Sequence, residues 1–447
     1  MRVFTALLFI VIASMPYVAM WQTGGPPPPP PATAPAETLA IISPHRREVR
    51  LEYSRGFHEW MRQRTGRNVD IRWLDVGGTS KILKDLESRF TTSPQAPGVD
   101  LLFGGGVAPY LEAIGQGWLE RIDVPQAELD AVPQTCAGAP VYDPDRRWFG
   151  VALSGFGILY NGPVIQRLRL PVPSDWETLA QPEYCTWVGS GDPRSSGSVH
   201  MCYEIILQAY GFERGWSTLT RLCANVRSFG EAGGTVPREV AAGEVAAGMV
   251  IDQYAQTVID SVGGNLMVFV LPQRTTVINA DAIGIIKGTQ HPELSRLFVE
   301  YALAEEGQRL LFQPVGVNGQ VNALHRMPVR AALYADPQAP RPNPYDFPPG
   351  VDYNNGKATQ RWNTLNDLMG LWLIDSHQDL QQAWQAVIAA GTPPDLVARL
   401  CAPPVTEQEL DALAAQWKDP RRKLEVTREW SRAAQERYRS VAAKAGK

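Results

Sequence analysis

The sequence contains none of the short motifs that mark the common catalytic sites. It has no G-x-S-x-G, H-E-x-x-H or Walker phosphate loop. Its three consecutive glycines, Gly104–Gly106, lack the G-x-G-x-x-G spacing of a dinucleotide site. It also has no basic excess, since 42 Lys and Arg stand against 46 Asp and Glu. These absences argue against a dinucleotide enzyme and against a nucleic-acid partner, and we expect no enzymatic activity.

Cysteine is scarce and has no metal-binding spacing. The five cysteines are Cys136, Cys185, Cys202, Cys223 and Cys401. No C-x-x-C or C-x-x-x-C pair occurs, which argues against a zinc site. None precedes Cys136, so we expect no lipoprotein anchor. Because the number of cysteines is odd, at least one thiol is left without a disulfide partner within the chain. Cys202 and Cys223, on consecutive predicted helices, either form a disulfide or pack as small apolar residues.

Charge is absent from the first part of the chain. No charged residue lies between Arg2 and Glu37, and Val3–Trp21 is almost continuously apolar. A helix of about 20 apolar residues crosses a bilayer, and no clean small-x-small cleavage site follows this one. We therefore interpret residues 1–22 as a signal peptide or a transmembrane anchor, and the proline-rich residues 23–37 as a spacer. Both alternatives place the protein outside the cytoplasm, secreted or tethered to the outer face of the cytoplasmic membrane.

From Thr38 onward, short apolar runs alternate with amphipathic segments, which is typical of an α/β fold. Three strands, Thr38–Ile42, Val69–Leu74 and Val99–Phe103, are each followed by a loop and a predicted helix. Ligands of open α/β sheets bind beyond the carboxyl ends of the strands. The loops after these three strands are therefore predicted to form half of a binding site.

Two extended crossings, Trp148–Asn161 and Met267–Leu271, flank a middle α/β block. This order predicts two lobes joined by a two-strand hinge, an arrangement that permits closure. We expect residues 38–150 and 272–320 to form lobe 1 and residues 151–271 to form lobe 2. Residues 321–447 are predicted to be a mostly helical C-terminal extension.

Several segments in this order resemble one family. They are the strand Val99–Phe103, the crossing Val151–Phe156, the turn Ala242–Gly248 and the helix boundary Glu305–Gln308. Together they resemble bacterial extracellular, or periplasmic, solute-binding proteins of ABC importers, over roughly Thr38–Asn322. The branch concerned includes ferric-ion binders and receptors for polyamines, thiamine and phosphorylated compounds. The resemblance implies a type II-like two-lobe fold, a small-molecule ligand between the lobes, an ABC permease as partner, and no cofactor.

The segment at the position where the family binds its ligand has features that favour an anionic solute. The loop Asp192–Ser198 precedes the predicted helix Val199–Tyr210, and serine hydroxyls and free amides at a helix start favour an anion. An ordinary serine N-cap after a proline turn is the alternative. The candidate ligand-binding residues are Ser43, His45, Arg46, Gly105, Ser154, Asp192, Ser195, Ser196, Gly197, Ser198, Thr235, Asp252, Tyr254 and Asp281.

Two alternative functions stay open at this point. His45 resembles a metal-ligand histidine of the ferric-ion binders, and Tyr254 with Asp252 would complete an iron site. However, this chain has Gly104–Gly106 at the position of a carboxylate in those proteins. A hard trivalent cation requires several anionic oxygen ligands, so the missing carboxylate argues against iron. The other alternative is a sensor or receptor domain of the same fold without a transporter. Neighbouring permease and ATPase genes would distinguish it from an importer component.

Overall fold

The computed structural model describes residues 37–230, 233–263, 266–340 and 343–446. The predicted export segment, residues 1–22, lies outside the described residues, as do residues 23–36 of the predicted spacer. Within the described ranges, no helix combines the length and the apolar character needed to cross a bilayer.

The first third of the chain alternates strands and helices, as its apolar pattern predicts. Helix α1 ends at Gly66, which takes the left-handed φ of 69° that glycine adopts without steric cost. The elements in order are β1 (Glu37–Ile42), α1 (Arg47–Thr65), β2 (Val69–Leu74), α2 (Thr79–Thr92), β3 (Leu101–Phe103), α3 (Ala108–Gly115), α4 (Gln126–Asp130), β4 (Thr135–Cys136), β5 (Ala139–Pro140) and β6 (Phe149–Asn161).

The middle of the chain continues the α/β alternation. Its elements are α5 (Gly162–Leu168), α6 (Trp176–Leu179), β7 (Val188–Gly191), α7 (Gly197–Tyr210), α8 (Phe212–Asn225), β8 (Val226–Gly230), α9 (Thr235–Ala242), β9 (Ala247–Ile251), α10 (Asp252–Val262), β10 (Met267–Val270), β11 (Ile278–Ile285), α11 (Pro292–Leu303) and α12 (Glu305–Arg309).

The C-terminal region is helical, as predicted, but more divided than its sequence suggests. A π-helical segment, Gly370–Asp375, lies between the α-helices that end at Met369 and begin at His377. The α-helices are α13 (Asn355–Met369), α14 (His377–Ala389), α15 (Pro394–Cys401), α16 (Glu407–Ala414) and α17 (Pro420–Ala445).

One long strand joins the two parts of the sheet. The strand order is β2-β1-β3-β11-β6-β9-β7-β8, with β10 also paired to β6. The first part of β6 pairs with β11 from Phe149 to Gly155, and its second part pairs with β9 from Phe156 to Tyr160. The fold is therefore the predicted α/β class with two lobes, and β6 passes from one lobe into the other.

The two lobes have separate hydrophobic cores. The first core packs β1, β3 and β11 against α1 and α11, and it includes Phe57, Phe103 and Phe298. Leu324 and Val329, which follow the predicted end of lobe 1, also belong to this core. The second core packs β9 and α7 to α8 against the C-terminal helices. The exact boundaries of the predicted domains stay a prediction.

All five cysteines are free thiols. Cys202 and Cys223 are both buried in the second core, where the Cys223 thiol donates to the Tyr203 hydroxyl at 3.4 Å. Of the two interpretations of this pair, packing as small apolar residues is the one found.

A buried ion pair fastens the C-terminal helices to the second lobe. Arg361 of α13 donates to the Glu204 carboxylate of α7 at 2.6 Å and 3.2 Å, and both side chains are 0% exposed. Arg361 also donates to Glu407 at 2.7 Å. Burying charge is costly unless it is paired, so each member of this pair depends on the other.

We predict that Arg361→Ala lowers stability severely. The substitution leaves the Glu204 charge buried without its cation, and breaking such a pair typically costs about 3–5 kcal/mol. The thermal unfolding midpoint, measured by differential scanning calorimetry, should fall by several degrees. The control is Arg422→Ala, which removes an exposed pair with Glu425 and should change the midpoint little. Equal small shifts in the two variants would contradict the prediction.

Candidate functional site: the cleft between the lobes

A cavity of about 260 Å³ lies where the two lobes meet, and we call it the cleft. Its walls come from the loop after β1, the loop after β3, the middle of β6, and the starts of α7 and α10. The opposing walls nearly touch, since a Cβ built on Gly78 would lie 3.8 Å from the Ser195 carbonyl oxygen. The lobes are therefore closed around the cleft.

The floor of the cleft is built around the carboxylate of Asp281 on β11. Arg326 donates to its Oδ2, His45 Nε2 lies 2.7 Å from the same oxygen, and the Gly106 amide donates to Oδ1 at 3.2 Å. Burial by itself would raise the pKa of Asp281, but the Arg326 charge and then His45 hold it well below its usual range. Asp281 is therefore ionised, and its charge is already neutralised by protein groups.

The His45 ring is held neutral beside this carboxylate. Burial lowers the pKa of His45, and the neighbouring Asp281 raises it less than burial lowers it. Its Nδ1 is buried and has no hydrogen-bond partner among the described residues. The Ser154 hydroxyl on β6 is likewise buried and has no hydrogen-bond partner among the described residues. Both residues line the cleft and offer it polar atoms.

The glycine run after β3 makes this floor sterically feasible. Gly104, Gly105 and Gly106 all have positive φ, at 97°, 96° and 77°. A Cβ on Gly104 would lie 2.6 Å from the His45 ring. Glycine at this point therefore lets the ring pack against the loop, while the turn brings the Gly106 amide to Asp281.

The loop before α7 presents polar groups to the cleft from the second lobe. The Ser195 and Ser196 amides donate to the Asp192 carbonyl, each at 3.1 Å, which folds the loop into a tight turn. Ser196 occupies the N-cap position, yet its hydroxyl makes no capping hydrogen bond and instead lies 3.2 Å from the Ser198 hydroxyl. The serine N-cap interpretation is therefore not what the structure shows. The first turn of α7 faces the cleft with its positive dipole end.

Arg46 supplies the charge that the cleft leaves uncompensated. Its guanidinium carbon lies 5.0 Å from the Tyr254 ring centroid across the cleft, and Arg46 forms no ion pair with any described residue. Among the described residues of the lining, the other charged groups are Arg326 and Asp281, which neutralise each other, and His45 is uncharged. Counted over these residues, the lining carries a net charge of about +1 beside a helix N-terminus.

The structure brings most of the predicted site residues together. Those that line the cleft are His45, Arg46, Gly105, Ser154, Ser195, Ser196, Gly197, Ser198, Tyr254 and Asp281. Whether they contact a ligand stays a prediction.

Four predicted residues do not line the cleft, for local reasons. Ser43 is buried and accepts a hydrogen bond from the His45 amide at 3.1 Å. Asp192 closes the turn before α7 and pairs with Arg194. Thr235 packs at the start of α9 against Gly230. Asp252 turns away to bind backbone amides of β6 and α10.

Sequence reasoning missed two prominent lining residues, Arg326 and Trp362. Arg326 follows the predicted end of lobe 1, and Trp362 belongs to α13 in the C-terminal region. Neither belongs to a motif, and both reach the cleft only through long-range packing, so no local pattern indicates them.

Two of the three candidate iron ligands, His45 and Asp252, already have protein partners. His45 Nε2 contacts Asp281 and lies 3.0 Å from Arg326 Nη1, while Asp252 accepts hydrogen bonds from two backbone amides. Tyr254 faces the Arg46 guanidinium. Across the described part of the chain, no group of three or more His, Cys, Asp or Glu side chains is placed to hold a metal ion.

A closed cleft between two α/β lobes joined by a crossing strand defines the class of two-lobe periplasmic binding proteins. The comparison with known families agrees. Residues 96–323 match the family of bacterial extracellular solute-binding proteins, and the chain belongs to this family. The predicted family and the predicted fold are both confirmed.

Among curated relatives, the phosphoglycerate transport regulatory protein PgtC of Salmonella typhimurium is 29% identical over 187 residues. The match spans 42% of this chain and 44% of that protein, which is under half the length of the relative.

Solved structures show the same fold at low identity. The periplasmic binding protein P5PA has a TM-score of 0.59 and 21% identity, covering 74% of this chain and 98% of that one. The periplasmic binding protein AfuA of Actinobacillus pleuropneumoniae, with fructose-6-phosphate bound, has a TM-score of 0.58 and 19% identity, covering 78% and 98%. The apo ferric ion-binding protein A of Pasteurella haemolytica has a TM-score of 0.58 and 17% identity, covering 75% and 97%.

Asp252 couples the first turn of α10 to the crossing strand. Its Oδ2 accepts from the Gly155 amide of β6 at 3.0 Å, and its Oδ1 accepts from the Gln253 amide at 2.7 Å. Burial raises the pKa of Asp252 to about 7, although both amides lower it. An unfolded chain ionises its aspartates near pH 4, as a rough reference.

We predict that Asp252 makes stability fall as the pH rises from about 4 to about 7. In that window the folded protein retains a proton that the unfolded chain has released, so raising the pH favours unfolding. Thermal unfolding midpoints of the wild type and Asp252→Asn, measured from pH 4.5 to 8, should therefore diverge as the pH rises. The control Asp123→Asn, whose side chain is 81% exposed, should run parallel to the wild type. A constant difference between the wild type and Asp252→Asn would show that Asp252 titrates normally.

Proposed function

We propose that this protein is the solute-binding component of an ABC-type import system and that it captures a small organic anion between its lobes. The ligand class that we favour is a phosphorylated or carboxylated compound. The observation that carries the proposal is the uncompensated Arg46 beside the first turn of α7. The two lobes hold the ligand between them, and no bond is made or broken.

The chemistry of the cleft supports an anion over a cation. A cation would meet the Arg46 charge and the positive end of the α7 dipole. Asp281, the one carboxylate among the lining residues that the structure describes, is already held by Arg326 and His45. An anion would instead accept hydrogen bonds from Arg46 and from the Ser196 and Ser198 hydroxyls. The same reasoning argues against ferric ion, because its candidate ligands His45 and Asp252 already have protein partners.

The name of a relative points in the same direction. PgtC is described as a phosphoglycerate transport regulatory protein, and phosphoglycerate carries a phosphate and a carboxylate on a three-carbon body. A cavity of about 260 Å³ suits a ligand of that scale, because a water molecule occupies roughly 30 Å³ in the liquid. We therefore place small phosphorylated acids and sugars first among the candidate ligands.

Delivery to a membrane permease follows from the family and belongs to the proposal. Members of the family are extracellular solute-binding proteins, so the proposed location is outside the cytoplasmic membrane and the proposed partner is an ABC permease. The tether through residues 1–22 remains a prediction from the sequence.

We predict that Arg46→Ala weakens binding of an organic phosphate at least tenfold, because a hydrogen bond to a charged group contributes about 1.5–3 kcal/mol. Isothermal titration calorimetry of the full chain against 3-phosphoglycerate, glucose 6-phosphate, inorganic phosphate, spermidine, thiamine and ferric citrate tests both the ligand class and the residue. We expect the phosphorylated compounds to bind and the cationic amines not to bind.

The matched control is Arg47→Ala, which removes an exposed cation at the adjacent position, outside the cleft. It should bind like the wild type. Binding of spermidine or thiamine alone, or equal losses in the two arginine variants, would overturn the anion proposal. A red charge-transfer colour on iron loading that disappears in Tyr254→Phe would favour the ferric alternative instead.

A further inference from the structure

The C-terminal region, which follows the residues that match the family, forms one wall of the cleft. Trp362 of α13 lines the same cavity as Arg46 and the serine loop. A Cβ built on Gly197, the first residue of α7, would lie 3.9 Å from Cη2 of the Trp362 ring. The edge of the indole therefore stands next to the amides and hydroxyls that we propose hold the anion.

The Trp362 side chain is fixed in this position by its own contacts. Its ring lies 3.6 Å from the His200 ring, between centroids, at an interplanar angle of 32°. Burial lowers the pKa of His200 to about 4, so that ring is neutral. In the orientation that satisfies its neighbours, the Asn366 amide accepts from Trp362 Nε1 at 3.1 Å and donates to His200 Nδ1 at 2.8 Å. The polar atom of the indole is thus occupied, and the ring presents hydrocarbon to the cleft.

The same region also braces the serine loop. Arg194, within the loop, donates to both oxygens of Asp375 at 2.9 Å and 2.7 Å. Asn366 donates to the Pro193 carbonyl at 3.1 Å in the same orientation. The buried pair of Arg361 with Glu204 fastens α13 to α7, the helix that begins in the cleft. The C-terminal region therefore contacts the loop and carries the tryptophan, so the same helices position both.

We propose that Trp362 is a specificity-determining residue that contacts the carbon body of the ligand, so that the cleft selects an organic anion over an inorganic one. This inference rests on the proposed function, because it assumes that the charged group lies at the serine loop and Arg46. An apolar ring edge beside that group has no hydrogen bond to offer an inorganic phosphate. Contact between the Trp362 ring and the carbon atoms of a sugar or a short hydroxy acid removes apolar surface from water and so favours binding of the organic ligand.

The test compares inorganic phosphate with 3-phosphoglycerate and glucose 6-phosphate, using calorimetry on the full chain. We expect Trp362→Ala to weaken binding of the organic phosphate that the wild type prefers by about tenfold, as expected for exposing roughly 50 Å² of apolar contact. Binding of inorganic phosphate should change less than about twofold, because its proposed contacts remain. Trp362→Leu, which keeps an apolar side chain, should give a smaller loss with the same selectivity, and it decides the matter if the alanine variant does not fold.

The matched control is Trp417→Ala, a tryptophan of the same region that stacks on Trp430 and lies outside the cleft. It should leave the ratio of organic to inorganic affinities unchanged. Equal losses for both probes in the Trp362 variants would show that the residue only supports the serine loop, and unchanged binding would show no contact, so either outcome overturns the inference. If the wild type binds no anion of the panel, the proposed function itself fails, and this inference fails with it.

Discussion

The pairing of the Asp281 carboxylate is the interaction on which the cleft depends. A buried charge is tolerated only with partners, and this one draws in His45 after β1, Gly106 after β3, and Arg326 from beyond the predicted end of the first lobe. These contacts fix three separate chain segments at the edge of β11. Because the carboxylate is fully neutralised there, Arg46 is left as the charge that faces the cleft.

The crossing strand β6 connects the two lobes at the point where it also lines the cleft. Its first part belongs to the sheet of the first lobe and its second part to that of the other, and Ser154 and Phe156 on either side of the junction line the cleft. The Asp252 carboxylate holds the Gly155 amide at this junction. The junction between the lobes and the lining of the cleft therefore share the same few residues of β6.

Much of the fold follows from local patterns in the sequence. The turn Ala242–Gly248, which carries part of the family resemblance, separates the helix Thr235–Ala242 from the strand Ala247–Ile251, and Gly243 ends the helix with a φ of 72°. Helix α17 is the charged surface helix that its sequence indicates, and one face of it is apolar. Val426, Trp430, Ala434 and Tyr438 follow one another at a spacing of about one turn and pack into the second core.

The sequence by itself determined the family, the α/β class and ten of the residues that line the cleft, because strand ends and helix starts are local features whose meeting point is set by the sheet. Only the tertiary structure decided which charges remain available. Asp281 and Asp252 are similar carboxylates in sequence, but Arg326 neutralises one and burial raises the pKa of the other. The tertiary structure alone also brings Trp362 to the cleft. Burial, ion pairing and the position of this tryptophan all depend on contacts between residues far apart in the chain, which no local pattern encodes.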